Sequence, residues 1–596
     1  GRFAEAQKYF DRAIKTQTER NPNPYEGEPY YNLGWSKKMQ GDIDGAYDAF
    51  FKATWNAAWQ DSGYMGLAQI DMIREDYTNG LDHIDRSLYR NWLNHKGRQL
   101  KVSFLRKTGD FAKVEVLIND SLAMDKFNMG CRFESYLIHT LQGNTEAAAA
   151  AKAEMKALMR GAVHSYLEYA IDYASAGMYE EATQLLSFVA EGNEATYPMV
   201  YYALGYFASK MGKKDEALNL YKKAETMCPD YCFPNKLEEV LMLNDAMSLN
   251  PEGAKAPYYL GNFHYAARIY DEAIACWEKS ASIDDTYPTV LRNLSLAYYN
   301  KQHNPQKALA TLEKAYNLDT TDARILMELD QLYKKLRYPH RQRLDFLEAH
   351  ADVVEQRDDL CIERITLYNQ LGEYQKAYDL INSRKFHPWE GGEGKVTSQY
   401  LLCRVELAKI AIREGRFADA VRLLKETEKY PDNLGEGKLS MAEENDIHYW
   451  MGCAYEGLGE EALAKEYFTK ATKGSAEPAI AFFYNDQQPD KIFYQGLAWR
   501  KLGEEDKARS RFNRLIKHGE KHLFDKVKID YFAVSLPDLL IWDDDLNVRN
   551  QIHCNLVMGM GYLGLGDKEQ ARKFLSEVAR LDINHQAGKQ LLEMCG

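Results

Sequence analysis

The chain has 596 residues, 45% apolar and 27% charged, a globular balance that argues against extended disorder over a length of about four ordinary domains. Its 75 basic and 88 acidic residues leave a net charge of −13, a poor match to a phosphate backbone, so nucleic-acid binding is disfavoured. No run of about 18 apolar residues encodes a membrane-spanning helix, and no basic, apolar leader opens the sequence. The nine Cys are odd in number and scattered. Cys228 and Cys232 flank a turn rather than forming a CxxC site, which favours a reducing, cytoplasmic compartment over a disulfide framework.

Taken in chain order, Gly1, Phe3, Ala6, Phe10 and Ala13 have the spacing of the second helix of a hairpin. The native protein is therefore expected to continue before Gly1. Tyr30, Leu33, Gly34, Ala46, Phe50 and Ala53 then set out a pattern that recurs. It returns in Tyr201, Leu204, Gly205, Gly212, Ala217, Tyr221, Ala224 and Pro229, and in Leu260, Gly261, Ala273, Trp277 and Ser280. Met451, Gly452, Tyr455, Gly459, Ala464, Phe468 and Ala471 repeat it, as do Met558, Gly559, Tyr562, Gly566, Ala571 and Leu575. Each copy reads as helix, turn, helix over about 34 residues. Small residues on the first helix (Gly34, Gly205, Gly452) are expected to meet Ala46, Ala217 and Ala464 on the second. Phe50, Tyr221 and Phe468 would then fill the groove toward the next copy. Copies 61–93 and 94–127 keep the spacing with altered residues: Ala68 replaces Gly and Gly80 replaces Ala. Copy 323–356 puts Asp330 at the small position, where a close crossing has no room for a charge.

This pattern resembles the tetratricopeptide repeat, in about fourteen uneven copies, best at 198–231, 445–478 and 552–585. The resemblance implies an all-α fold: a right-handed superhelical solenoid of antiparallel helix hairpins that binds protein partners. Interruptions of the period divide the chain into an N-terminal array 1–231, a helical insert 232–253, a central array 254–390 and a C-terminal array 391–596. The last carries insertions 430–444 and 523–551, and Ala587 to Met594 reads as an end-capping helix. His387-Pro388-Trp389-Glu390-Gly391-Gly392-Glu393-Gly394 and Ser535-Leu536-Pro537-Asp538-Leu539-Leu540 resemble the C-terminal region of large bacterial tetratricopeptide proteins. The N-terminal domain of that family resembles carbohydrate-active enzymes, which implies that any sugar chemistry lies upstream of Gly1.

No complete catalytic set appears. The Gly-rich loop before Lys395 has Trp389 where a phosphate-binding loop needs Gly, and Val396 where it needs Ser or Thr. Asp543, Asp544 and Asp545 lack the alternation of a calcium loop and fit helix capping. His387, His448 and His553 lie in different repeats, with no paired His expected at helical spacing, and Glu390 with Glu393 does not define a glycosidase pair. Neither metal nor cofactor is expected, and the chain itself is not expected to be an enzyme. Lys334, Lys335, Arg337, Arg341 and Arg343 form the densest basic cluster, suited to a solvated turn or an acidic peptide.

In the repeat fold, first helices line the inside. The inward positions are read as Tyr31, Trp35, Tyr202, Tyr206, Tyr258, Tyr265, Tyr299, Tyr449 and Phe493, with Asn262 beside them. Aromatic groups there offer contact area for a peptide or a glycan. A carboxylate clamp built on Asn262 and Asn293 is rejected, because Tyr258 and Glu328 occupy its basic positions. The expected function is a non-catalytic scaffold that captures a peptide or protein partner in its concave groove. The alternative is an accessory repeat region of a carbohydrate-processing enzyme whose catalytic domain lies upstream.

Overall fold

A computed structural model describes residues 1–23, 26–190, 197–389, 391–440, 442–479, 488–528 and 541–596. Among these residues every regular element is a helix. The chain divides into two compact units, Gly1–Thr286 and Tyr287–Gly596, and each is a solenoid of antiparallel hairpins. Glu390 and the stretch 535–540 lie outside the described residues.

Unit 1 opens with α1 (Phe3–Thr18). Hairpins follow: α2 (Glu28–Met39) with α3 (Ile43–Ala53), α4 (Gln60–Ile73) with α5 (Tyr77–Arg90), and α6 (His95–Lys107) with α7 (Phe111–Met124). Next come α8 (Met129–Leu141) with α9 (Thr145–Met159), α10 (Val163–Ser175) with α11 (Tyr179–Ala190), and α12 (Met199–Lys210) with α13 (Lys214–Glu225). A lone helix, α14 (Leu237–Leu249), then precedes α15 (Lys255–Ala266) and α16 (Tyr270–Ile283). Arg2, next to α1, pairs with Glu272 of α16, so this unit returns on itself.

Unit 2 begins with α17 (Pro288–Asn300) and α18 (Pro305–Leu318), then α19 (Ala323–Lys335) with α20 (His340–Ala349) and a single turn, α21 (Ala351–Val354). It continues with α22 (Asp358–Gln370) and α23 (Tyr374–Ser383), α24 (Lys395–Arg413) and α25 (Phe417–Lys425), and α26 (Asn445–Gly457) and α27 (Glu461–Ala471). It ends with α28 (Pro489–Lys501) and α29 (Glu505–His522), α30 (Leu546–Leu565) and α31 (Lys568–Leu581), and α32 (Gln586–Met594).

The turn chemistry sets these boundaries. Asp42, Asp76 and Asp110 open second helices by accepting the backbone N–H of Gly45, Asn79 and Lys113 at 2.9, 3.2 and 3.4 Å, which satisfies donors the helix leaves free. First helices end where a residue turns left-handed, as at Gly212 (φ 78°) and Gly566 (φ 86°), a conformation glycine adopts without penalty.

One packing expectation is corrected. The first-helix glycine meets the large residue of its own second helix, not the alanine. A Cβ on Gly205 would stand 2.4 Å from the Tyr221 ring, and on Gly34 or Gly452 2.6 Å from Phe50 or Phe468. Absence of a Cβ opens a slot, and the ring fills it. Ala46, Ala217 and Ala464 are buried one turn earlier on the second helix.

Hairpin α19/α20 closes differently. Asp330 stands where glycine would, and Arg343 of α20 clasps it through Nη2–Oδ2 at 2.6 Å and Nε–Oδ1 at 3.0 Å, both side chains 1% exposed. Arg343 also donates to Glu363 of α22 at 2.7 Å, and Lys334 reaches the same carboxylate at 2.9 Å. Burial pushes the Asp330 carboxyl up, against the pull of Arg343. Burial also opposes ionisation of Glu363, but Lys334 and Arg343 outweigh it and hold that carboxyl at about 2.

Candidate interaction surface on the first helices

In unit 2 the first helices α17, α19, α22 and α24 contact the unit's own C-terminal elements. Residues 541–545 lie against α17 and α19. The Asn300 side chain clasps one peptide segment from both sides: its Nδ2 donates to the Ile541 carbonyl and its Oδ1 accepts the Asp543 N–H, each at 2.8 Å. Between them Trp542 is 1% exposed. Its indole N–H donates to the Glu328 carbonyl at 3.1 Å, and its ring meets Tyr299 edge-on at 5.1 Å between centroids. The Glu328 carboxylate is fully buried and is neutralised by Arg292 and Arg324, which donate at 2.7 and 3.1 Å.

The acidic trio divides its work. Asp545 caps α30, accepting from the Asn547 N–H at 2.8 Å, as capping chemistry predicts. Asp543 and Asp544 pair instead with Lys301 at 3.5 Å and Lys335 at 2.9 Å. The rest of the basic cluster is also engaged. Lys334 and Arg343 are bound as described, Arg341 pairs with Glu373, and Arg337 donates to the Arg580 carbonyl at 2.5 Å. The solvated-turn reading holds for the exposed Arg337 and Arg341 and is corrected for Arg343, which is buried against Asp330.

Farther along the same face, α32 does more than cap. Gln399 and Gln586 exchange side-chain amide hydrogen bonds at 3.0 Å. Gln370 donates to the Asn584 carbonyl, and Lys589 returns a bond to the Gln370 carbonyl. Arg343 reaches Asn584 Oδ1 at 3.3 Å.

The aromatic positions read from the sequence separate into two groups. Tyr202, Tyr258 and Phe493 are corrected from groove to core, at 0%, 4% and 1% exposure. Tyr202 donates its hydroxyl to Glu225 at 2.7 Å and sits edge-on to Tyr259; Phe493 packs on Phe512. Their ring faces are spent between helices. Tyr31, Trp35, Tyr206, Tyr265, Tyr299 and Tyr449 are half-buried. Tyr31 leans on Trp35, Phe50 and Trp59, and Tyr265 on Trp277. Tyr206 lies under Lys210, 5.1 Å from ammonium to ring centre. Tyr449 contacts Trp450 and Tyr494. Asn262 accepts the Trp277 indole N–H at 3.1 Å, a structural use of the amide. Beside Trp35, burial lowers Lys38 to about 7, and its ammonium donates to Gln69.

The tetratricopeptide repeat family model matches residues 200–231 and 446–473, and a second model of the same description matches 492–518. The chain carries tetratricopeptide repeats. These matches fall on hairpins α12/α13, α26/α27 and α28/α29. Among solved structures, YrrB, described as a TPR protein with an unusual peptide-binding site, is 18% identical over 35% of this chain and 95% of its own, with a TM-score of 0.17. PilF of Pseudomonas aeruginosa is 19% identical over 37% of this chain and 90% of its own, at 0.23. The APC/C hetero-tetramer Cut9–Hcn1 is 13% identical over 99% of each chain, also at 0.23.

Elsewhere, the loop before α24 already holds an internal anion: the Gly394 N–H donates to the Glu436 carboxylate at 3.0 Å. One cluster escaped the sequence reading. His518 and His522, four residues apart on α29, lie with tilted rings 4.6 Å apart, and His553 of α30 lies 6.0 Å from His518. The helical spacing of His518 and His522 was the available signal. Among the described residues no three His, Cys, Asp or Glu side chains converge on a metal-sized point.

Proposed function

We propose that this chain is a non-catalytic interaction scaffold whose first-helix inner face captures an extended peptide or protein segment. One observation carries the reading: the inner face of α17 and α19 holds residues 541–545 by an amide clasp on the main chain and a closed pocket for one indole. Main-chain hydrogen bonds supply affinity for any extended segment, and the pocket supplies selection among them. The half-buried aromatics Tyr206 and Tyr265 offer comparable contact area in unit 1.

The test is selection of peptides from a random display library on the full chain. Peptides enriched on the wild-type chain are expected to lose binding on Tyr206→Ala, Tyr265→Ala or Asn300→Ala, and to keep it on Lys222→Ala, an exposed second-helix control. If nothing is enriched, or enriched peptides ignore all three inner-face substitutions, the reading is wrong.

A further inference from the structure

We propose that the α17/α19 face is a receptor for an apolar–Trp–Asp–Asp peptide, and that residues Ile541–Asp544 are its resident intramolecular ligand, which a partner segment of the same chemistry displaces. This deepens the function proposed above and rests on it.

Each recognition element answers one feature of such a peptide. Asn300 pairs with both the C=O of Ile541 and the N–H of Asp543, so it reads the main chain on either side of the Trp. The pocket between Tyr299 and the Glu328 carbonyl demands an aromatic group with an N–H at its edge. Trp meets that demand, whereas Phe would forgo the indole hydrogen bond. Lys301 and Lys335 then select acidic residues one and two places after the Trp. On a chain of net charge −13, this local basic patch gives an acidic peptide a preferred landing place.

The contacts also show how the resident leaves. Only Trp542 is deeply buried. Asp543 is 59% exposed and Asp544 30%, and their lysine partners are 28% and 25% exposed. Ion pairs so open to water contribute little. The resident is held chiefly by one side chain and one amide clasp, both of which an identical segment from another molecule supplies.

The probe is a fluorescein-labelled peptide Leu-Ile-Trp-Asp-Asp-Asp-Leu, the sequence of residues 540–546, titrated against the full chain by fluorescence anisotropy. The wild-type chain is expected to bind it weakly, because the resident competes at high effective concentration. Trp542→Ala in the chain is expected to bind it at least tenfold more tightly. Adding Asn300→Ala to that variant is expected to abolish the gain, and a probe with Ala in place of Trp is expected not to bind. Circular dichroism checks that each variant folds. If Trp542→Ala does not fold, the paired change Asp543→Lys and Asp544→Lys, which repels Lys301 and Lys335, loosens the resident without emptying the pocket and should also tighten probe binding. Equal affinity of the probe for wild-type and loosened chains overturns the proposal. So does a concentration-dependent wild-type dimer that Trp542→Ala dissolves, which assigns the site to the segment of a second copy. Library peptides that still bind unit 1 in either case leave the scaffold reading standing and sink this inference alone.

Discussion

In hairpin α12/α13 the crossing is closed by the Tyr221 ring lying over Gly205, whose absent Cβ makes the slot. In α19/α20 the corresponding position is Asp330, and the crossing is closed by the buried guanidinium of Arg343. The two chemistries have different consequences. The ring saturates its surroundings, and its hydroxyl is taken by Asp245 of α14 at 2.6 Å. The guanidinium has donors to spare and extends them to Glu363 of the next hairpin and to Asn584 of the C-terminal turn. The hairpin with Asp330 at the small position also supplies the Glu328 carbonyl to Trp542 and Arg343 to the C-terminal turn. A departure from the repeat marks where this solenoid does something other than stack.

The largest expected effect breaks the second crossing. Arg343→Ala leaves Asp330 buried without its cation, while Glu363 keeps Lys334; this should cost about 3–5 kcal/mol. Adding Asp330→Gly removes the stranded charge, so the double variant should be less destabilised than the sum of the singles. Urea melts of the three variants check this, and strict additivity would show that the two side chains are not coupled. Next is the first crossing. Gly205→Leu drives a side chain into the Tyr221 ring and should cost about 1–3 kcal/mol. An unchanged melt would mean that the ring does not fill that slot.

A pH series sharpens the contrast, because only the second crossing depends on charge. The folded-state pKa of Glu363, about 2, is below the ordinary 4.5. Its stabilisation is therefore fully present above about 4.5 and is lost as the pH falls toward 2. The stability difference between wild type and Glu363→Gln should shrink over that window, while the penalty of Gly205→Leu stays flat. The smallest effect is expected from Lys335→Ala. It removes a partly exposed pair with Asp544 and should lower stability by about 1 kcal/mol or less, measured by thermal melting.

The hairpin architecture was legible because its signals are local. Gly205 with Tyr221, Gly452 with Phe468, and the left-handed turn glycines recur at one spacing, and the apolar run from Leu237 to Met247 announced α14. The inner face was legible only in part. The first-helix period that turns a residue inward also turns it toward its neighbour, so Tyr202 and Tyr258 satisfy the groove rule while lying between helices. Asp330 signalled an exception, but its answer, Arg343, follows from the tertiary crossing rather than from any spacing rule. Trp542 gave no local sign of its destination, since its pocket is built more than 200 residues earlier. The Asn300 clasp was missed for the same reason. An Asn at a helix end reads as a cap until a distant segment is placed against it.

The claim that α17 and α19 hold the segment 541–545 is tested most directly by hydrogen exchange at the Asp543 backbone amide. The N–H bonded to Asn300 should be protected in the wild-type chain. It should exchange at least tenfold faster in Asn300→Ala, with the amides of α12 and α13 unchanged. If the Asp543 amide of the wild-type chain exchanges as fast as an unstructured peptide, the segment is not held there and the account is wrong.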